Sequence, residues 1–174
     1  MKKLMFLLFA SVAILACTQN QPAVDDSASK SNDSKMLYEK NLATVKAGIK
    51  AFENEDLDGF LAYVADNAVY LSPAYGAKEG TKEDYKNQLS LYLTNWDSLK
   101  LMNPIFLPGL DSATHEFDGS VRYYGKWTGV HKSGVKTVVN FYATYEFNAD
   151  NKIISATDYF DLGGLINAVS AKTK

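Results

Sequence analysis

Residues 134–165 of this 174-residue chain read GVKTVVNFYATYEFNADNKIISATDYFDLGGL, and this stretch decides the fold. Two long segments rich in β-branched and aromatic residues are joined in it by the short turn Ala149-Asp150-Asn151, and such a turn predicts an antiparallel hairpin. Apolar side chains of the first segment recur at every second position, at Val139, Phe141, Ala143, Tyr145 and Phe147. We therefore predict a sheet with one face packed on apolar groups.

Three further strands are predicted before this hairpin. The longest runs from Ser120 to His131, and a turn at Lys132-Ser133-Gly134 joins it to the hairpin. A short strand from Ala68 to Ser72 ends at a proline, and a strand from Leu99 to Leu107 is interrupted by Pro104. Because proline cannot donate a hydrogen bond to a neighbouring strand, we expect Pro104 at a sheet edge or a bulge.

Apolar residues at helical spacing predict the helices. Asp56 is suited to cap the second of them, and Thr81 with Asp84 has the spacing of a capping box before the third. The predicted helices run from Lys35 to Asn54, from Leu57 to Val64, from Lys82 to about Asn95 and from Leu162 to Ala171. Helices followed by a meander of strands indicate an α+β fold, with the N-terminal helices packed on one face of a curved antiparallel sheet.

The segment AFENEDLDGFLAYVADNAVYLSP (51–73), with Gly76 and Gly80 after it and the closing strands of 134–165, resembles the nuclear-transport-factor-2-like superfamily. Within that superfamily the chain is similar to the SnoaL-like polyketide-cyclase group. The resemblance implies a cone-shaped fold, with N-terminal helices on a strongly curved antiparallel β-sheet and a pocket between sheet and long helix. It implies no single function, since this fold hosts enzymes and members without a reaction.

The N-terminus predicts export and lipid attachment. A basic start and a short apolar run lead to Ile14-Leu15-Ala16-Cys17, which resembles a bacterial lipobox. We expect a signal peptide at 1–16, a lipidated Cys17 on a flexible linker at 17–34, and one cone domain at 35–174. The domain would then lie outside the cytoplasm on a bacterial envelope membrane, and Thr18 after the cysteine favours the outer membrane.

Charge and residue types exclude several classes of partner. Without Lys2 and Lys3 the chain has 16 basic and 20 acidic residues, a net charge of −4, so we expect no nucleic-acid partner. The two histidines, His115 and His131, have no neighbouring ligands at metal-binding spacing, so we expect no metal. No cofactor motif is present, and no cofactor is expected.

Aromatic residues are the candidate wall of the pocket. Tyrosine and tryptophan offer a flat apolar face with one hydrogen-bonding tip, which suits a small hydrophobic or aromatic ligand. The candidate ligand-binding residues are Tyr70, Tyr75, Trp96, Tyr123, Trp127, Phe141, Tyr142 and Tyr145. The same side chains could instead only fill the cone.

Asp158 is the candidate acid. Ile154, Ala156 and Phe160 share its side of the last strand, so a regular strand places a carboxyl in an apolar row. Burial there would raise its pKa and suit it to proton transfer. Asp161, the second catalytic candidate, also has a structural explanation as N-cap of the terminal helix.

Three functions remain open at this point. The first is an envelope-anchored protein that binds a small apolar or aromatic molecule without turnover. The second is a cofactor-free isomerase, cyclase or hydratase that uses Asp158 with Tyr142 or Tyr145. The third is an interaction module that forms a homodimer through the exposed sheet face, with Arg122 at the contact.

Overall fold

In the computed structural model, which describes residues 26–170, three helices and a short strand precede four consecutive strands and a final helix. The elements are α1 (Asp26–Glu53), α2 (Leu57–Leu61), β1 (Val64–Leu71), α3 (Lys82–Asn95), β2 (Trp96–Leu110), β3 (Phe117–His131), β4 (Lys136–Phe147), β5 (Ile153–Tyr159) and α4 (Leu162–Ser170). The predicted signal peptide, the lipidated Cys17 and the start of the linker lie outside the described residues.

One curved sheet carries the strands in the order β1-β5-β4-β3-β2. The pairs β2–β3, β3–β4 and β4–β5 are antiparallel, as predicted. β1 differs, because it pairs parallel with β5, with Tyr70 opposite Ala156 and Leu71 opposite Thr157. The sheet is therefore mixed. β1 and β5 are connected through α3 and strands β2 to β4 rather than by a hairpin, and a long connection of this kind permits parallel pairing.

Helix α1 starts at Asp26, earlier than the predicted Lys35. Residues 26–34 contain neither proline nor glycine, and an existing helix extends by one hydrogen bond for each residue that it adds. The last part of the segment predicted as a flexible linker is thus helical. The second helix ends at Leu61 rather than Val64, because β1 already begins at Val64.

The predicted caps are confirmed. The backbone N–H of Gly59 donates to the carboxylate of Asp56 at 2.8 Å. In the capping box of α3, the backbone N–H of Thr81 donates to Asp84 at 2.7 Å and the N–H of Asp84 donates to the Thr81 hydroxyl at 3.3 Å. These bonds satisfy helix donors that have no partner within the helix.

β2 is an irregular edge strand. Its pairing with β3 shifts at three places, and one shift lies between Met102 and Ile105, around Pro104. Ser98 and Asn103 have φ values of 56° and 51° at these irregularities. Bulges of this kind bend a strand and increase its twist, so they help the sheet to curl around the helices.

The helices cover the concave face of the sheet. α1 crosses β3, where the Asn41 amide donates to the carbonyl of Gly119 at 2.7 Å. Gly119 has a φ of 79°, and a Cβ there would lie 2.7 Å from the side chain of Leu37. Glycine therefore allows both the backbone turn and the close approach of α1. Within residues 26–170, no helix is long and apolar enough to span a membrane.

Candidate functional site

A cavity of about 80 Å³ lies between the concave sheet face and the helices. Its walls come from α1, α2, α3 and α4 and from strands β2 to β5. The lining is mostly apolar, and aromatic residues supply more than half of it. The lining residues are Ile49, Phe52, Phe60, Tyr85, Leu89, Tyr92, Trp96, Leu99, Tyr123, Trp127, Thr128, Thr137, Val139, Phe141, Tyr145, Asp158, Phe160 and Leu165.

Strand alternation aims the sheet residues into this cavity. Tyr123 on β3 is opposite Ala143 on β4, and Ala143 is opposite Asp158 on β5. Paired residues in adjacent strands share a face, so these three positions form one inward row. Their neighbours along each strand point outward.

Asp158 is the acidic residue of the cavity wall, and it is 5% exposed. The hydroxyl of Tyr70 donates a hydrogen bond to its Oδ2 atom at 3.2 Å. Its Oδ1 atom has no hydrogen-bond partner among the described residues. Burial raises the pKa of the Asp158 carboxyl from its ordinary 3.8 to about 7, and the bond from Tyr70 offsets part of that rise.

Phenol groups surround this carboxyl. Burial, together with the nearby charge of Asp158, raises the pKa of Tyr70, Tyr85, Tyr92 and Tyr145 above the ordinary 10.0. The same holds for Tyr123, where Tyr145 contributes as well. The tyrosines are therefore neutral at physiological pH and serve as hydrogen-bond donors or acceptors.

Hydrogen bonds hold several aromatic side chains of the wall in position. The Trp127 indole donates to the hydroxyl of Tyr123 at 3.2 Å, and the Tyr85 and Tyr145 hydroxyls are 3.5 Å apart. The indole of Trp96 donates to the hydroxyl of Thr137 at 3.0 Å. These contacts leave the ring surfaces, rather than the polar tips, as the main part of the cavity wall.

The structure brings six of the predicted site residues to the cavity. These are Trp96, Tyr123, Trp127, Phe141, Tyr145 and Asp158. Tyr70 does not line the cavity but lies behind its wall, where it bonds Asp158 and stacks on Tyr85 at 4.3 Å between ring centroids. A role in ligand binding or catalysis remains a prediction for each of them.

The other three predicted residues do not line the cavity: Tyr75 and Tyr142, predicted for its wall, and Asp161, the second catalytic candidate. Tyr75 is fully exposed in the segment after β1. Tyr142 lies on the convex sheet face, because it alternates with the inward Phe141 and Ala143. Asp161 is exposed and caps α4, where its carboxylate accepts from the N–H of Gly164 at 2.7 Å.

Sequence reasoning missed several lining residues. Tyr85 and Tyr92 are seven positions apart on α3, a spacing that identifies a buried helix face but not what that face contacts. Phe160 was assigned to the apolar side of β5 but not to the pocket. Residues 26–170 include no group of three or more histidine, cysteine or acidic side chains arranged to hold a metal.

A row of tyrosines crosses the convex sheet face. Tyr124 of β3, Tyr142 of β4 and Tyr159 of β5 are directly paired across the strands, with ring centroids 4.6 and 5.4 Å apart. Ile105 of β2 continues the row, and it is 60% exposed. This face is a second candidate surface, separate from the cavity.

Comparison with solved structures shows which proteins share this fold. A nuclear-transport-factor-2-like protein of unknown function from Burkholderia pseudomallei is 19% identical, with a TM-score of 0.60 over 75% of this chain and 98% of that one. A candidate isomerase from Bacillus subtilis is 18% identical, with a TM-score of 0.64 over 77% and 95%. A candidate SnoaL-like polyketide cyclase from Shewanella denitrificans is 9% identical, with a TM-score of 0.59 over 75% and 97%.

No protein-family profile and no curated protein matches the sequence. At these identities the structural similarity establishes the fold, and it does not transfer an activity. The resemblance inferred from residues 51–73 and 134–165 is supported at that level. The chain has the α+β cone fold of the nuclear-transport-factor-2-like proteins.

Proposed function

We propose that the domain binds a small, predominantly apolar molecule in the cavity between sheet and helices. The observation that supports this is the aromatic lining with a single carboxyl, Asp158, aimed into it. Pockets of this composition gain affinity from apolar burial and orientation from a few polar groups. A volume of about 80 Å³ favours a small guest over a drug-sized one, whose pockets typically have ~300–1,000 Å³.

A screen of small apolar and aromatic compounds tests this proposal. Trp96 and Trp127 line the cavity, so binding is expected to change tryptophan fluorescence and to raise the thermal midpoint of unfolding. Chemical-shift changes confined to cavity residues would establish the location. A screen in which no compound changes either signal contradicts the proposal.

Catalysis is the second candidate function, and the environment of Asp158 favours it. A buried carboxyl with a pKa of about 7 exchanges protons readily near neutral pH. Neutral phenols such as Tyr92 and Tyr145 share the cavity and are able to donate to a carbonyl oxygen. The reaction class would be proton transfer at a carbon next to a carbonyl, as in a cofactor-free isomerase or cyclase, or addition of water by a hydratase.

This activity can be measured by NMR as the exchange of hydrogen for deuterium at the carbon next to the carbonyl of small cyclic ketones. Exchange catalysed by the wild type is expected to rise as pH increases through about 7, because the ionised Asp158 is the base. Asp158→Asn is expected to abolish it, whereas Asp161→Asn keeps it. Equal exchange in both variants would exclude Asp158 as the base and leave the binding proposal intact.

In the same proposal, lipid on Cys17 holds the domain at the cell envelope. The lipobox-like sequence before Cys17 and its apolar run support this, and two or three acyl chains make a durable anchor. Cys17→Ser is expected to remove labelling by radioactive palmitate and to release the protein from membranes. Retention of label in this variant would contradict the assignment.

The tyrosine row on the convex face favours one further role, homodimer formation. Tyr124 and Tyr159 are 46% and 51% exposed, and Arg122 lies beside Tyr142. Aromatic residues and arginine are enriched at interfaces. Sedimentation of the tag-free domain is expected to give a dimer that Tyr142→Lys dissociates, and a wild-type monomer at high concentration would exclude this role.

A further inference from the structure

The buried carboxyl of Asp158 has no basic partner among the residues that the structure describes. No lysine, arginine or histidine lines the cavity in the part of the chain that the structure describes. His131 packs against the ring of Trp96 at 4.6 Å between centroids, but it does not line the cavity. Buried acids are usually paired with a cation or hydrogen-bonded at both oxygens. The negative charge of the ionised Asp158 is therefore not balanced by any group of the cavity wall.

Within residues 26–170, the titratable groups that interact with Asp158 are all phenols. They come from β1, α3, β3 and β4, and each is neutral near pH 7 because burial raises its pKa. These residues are Tyr70, Tyr85, Tyr92, Tyr123 and Tyr145. A ligand that carries a negative charge would meet the carboxylate without any compensating positive group.

Two residues of the cavity wall each have a buried polar atom without a hydrogen-bond partner among the described residues. One is Oδ1 of Asp158, and the other is the hydroxyl oxygen of Tyr92. The amide of Gln88 lies beside that hydroxyl but outside hydrogen-bond geometry. Tyr70 already occupies the second oxygen of Asp158. Oδ1 of the ionised Asp158 therefore requires a ligand that donates a hydrogen bond, and the Tyr92 hydroxyl is able to accept a second one.

The aromatic wall combines stacked and steeply inclined rings. Phe141 stacks on Tyr123 and on Phe160, at 24° and 29°. Other neighbouring rings meet at steep angles: 89° for Phe52 with Trp127, 82° for Trp127 with Phe141, 61° for Tyr92 with Phe160 and 69° for Tyr92 with Trp96. Rings at such angles present faces from several directions. Ring faces attract cations, and aromatic cages are a recurrent way to bind ammonium groups.

We infer that the ligand of this cavity is a small organic ammonium ion, a protonated amine on an apolar body. This inference rests on the proposed ligand-binding function and names its ligand class. The N–H groups donate to Asp158 Oδ1 and to the Tyr92 hydroxyl, and the positive charge pairs the carboxylate. The apolar body contacts the rings of Trp127 and Phe141, where burial of its surface adds affinity.

Benzylamine and benzyl alcohol form a matched pair of probes, equal in size and shape but different in charge. At about pH 8 we expect the wild type to bind benzylamine about tenfold more tightly than benzyl alcohol, as measured by tryptophan fluorescence and NMR titration. The preference is expected to fall at about pH 5.5, where Asp158 is protonated and benzylamine is still charged.

Two variants at neighbouring acids complete the experiment. Asp158→Asn is expected to remove the preference for benzylamine while the affinity for benzyl alcohol changes by less than about twofold. Asp161→Asn, in which asparagine still caps α4, is the control and keeps the preference. The pH dependence in the wild type tests the same point without any substitution.

Three results would overturn the inference. Equal or tighter binding of benzyl alcohol by the wild type removes the ammonium class but leaves the proposed ligand-binding function in place. A preference that survives in Asp158→Asn places the cation away from this carboxyl. If neither probe binds, the inference fails. If, in addition, no compound of the apolar screen binds, the proposed ligand-binding function fails as well.

Discussion

At the scale of single residues, Asp158 is the acid among residues 26–170 whose pKa burial raises. Its position on β5, opposite Ala143, turns the carboxyl toward apolar and aromatic side chains. Water cannot solvate the ionised form there, and one hydrogen bond from Tyr70 replaces only part of the lost hydration. The free energy of this desolvation appears as the raised pKa of Asp158.

The first prediction concerns stability and pH. In the unfolded chain Asp158 ionises near 3.8, whereas in the folded protein its pKa is about 7. Between these values the folded state binds more protons than the unfolded state, so the free energy of unfolding falls as pH rises and is level above about 7. At ~1.4 kcal/mol per unit, the loss between about pH 5 and pH 8 is roughly 3 kcal/mol.

Asp158→Asn removes this ionisation. Relative to the wild type, the variant is expected to gain stability progressively from about pH 5 to about pH 8 in denaturant unfolding experiments. Asp161→Asn is the matched control, since its carboxylate is exposed. A stability difference between wild type and Asp158→Asn that does not depend on pH would contradict the predicted burial of the charge.

The second prediction concerns the hydrogen bond from Tyr70. Tyr70→Phe keeps the ring that stacks on Tyr85 but removes the donor to Asp158. Because that donor stabilises the ionised form, the pKa of Asp158 is expected to rise further in the variant. Carbon-detected NMR titration of the Asp158 carboxyl measures it, with Tyr142→Phe on the opposite sheet face as control. An unchanged or lower pKa would contradict the prediction.

At the scale of secondary-structure elements, the contact between α1 and β3 fixes the depth of the cavity. Gly119 at the start of β3 accepts a hydrogen bond from Asn41 and lies against Leu37 of α1. Further along the same helix, Ile49 and Phe52 form part of the cavity wall. The packing at one end of α1 therefore sets the position of the wall at the other end.

The third prediction tests this contact. Gly119 and Gly134 both have a φ of 79°, but a Cβ would lie 2.7 Å from Leu37 at the first position and meet nothing within 4 Å at the second. Gly134→Ala is expected to cost about 1–2 kcal/mol of backbone strain. Gly119→Ala is expected to cost about 1–3 kcal/mol more, because the side chains of Leu37 and Asn41 on α1 must shift. Equal losses in denaturant unfolding would show that helix packing does not depend on Gly119.

Sequence patterns predicted these elements well where the hydrophobic alternation extended over many residues. The alternation in β3, β4 and β5 identified the inward faces, and with them Tyr123, Phe141 and Asp158. The same alternation excludes Tyr142 from the cavity, so its assignment there went against the pattern. Tyr75 lies in a segment without periodicity, and no pattern fixes the direction of its side chain.

At the scale of the whole molecule, the cavity exists because four helices and a curled sheet meet around it. Tyr85 and Tyr92 line the cavity because α3 packs beside it, and α4 contributes Leu165. The Tyr70–Asp158 bond spans 88 positions in the sequence. Such contacts depend on which elements become neighbours, for example β1 beside β5, and local periodicity carries no information on that.

The fourth prediction concerns the cavity as a whole. Val139 on β4 lines the cavity, whereas its neighbour Val138 points outward and is 66% exposed. Val139→Phe is expected to fill the cavity and to weaken binding of benzyl alcohol more than about tenfold, with a loss of stability of at most about 1–3 kcal/mol. Val138→Phe is the control and keeps binding. Unchanged affinity in Val139→Phe would place the ligand elsewhere.

The parallel pairing of β1 with β5 also governs how the chain acquires its structure. β1 forms near the beginning of the domain, but its hydrogen-bonding partner is the last strand to be synthesised. Pairing between such distant segments makes folding slow. A nascent chain therefore stays incomplete until residue 159 is available, and its acid and phenols first meet when that final strand docks.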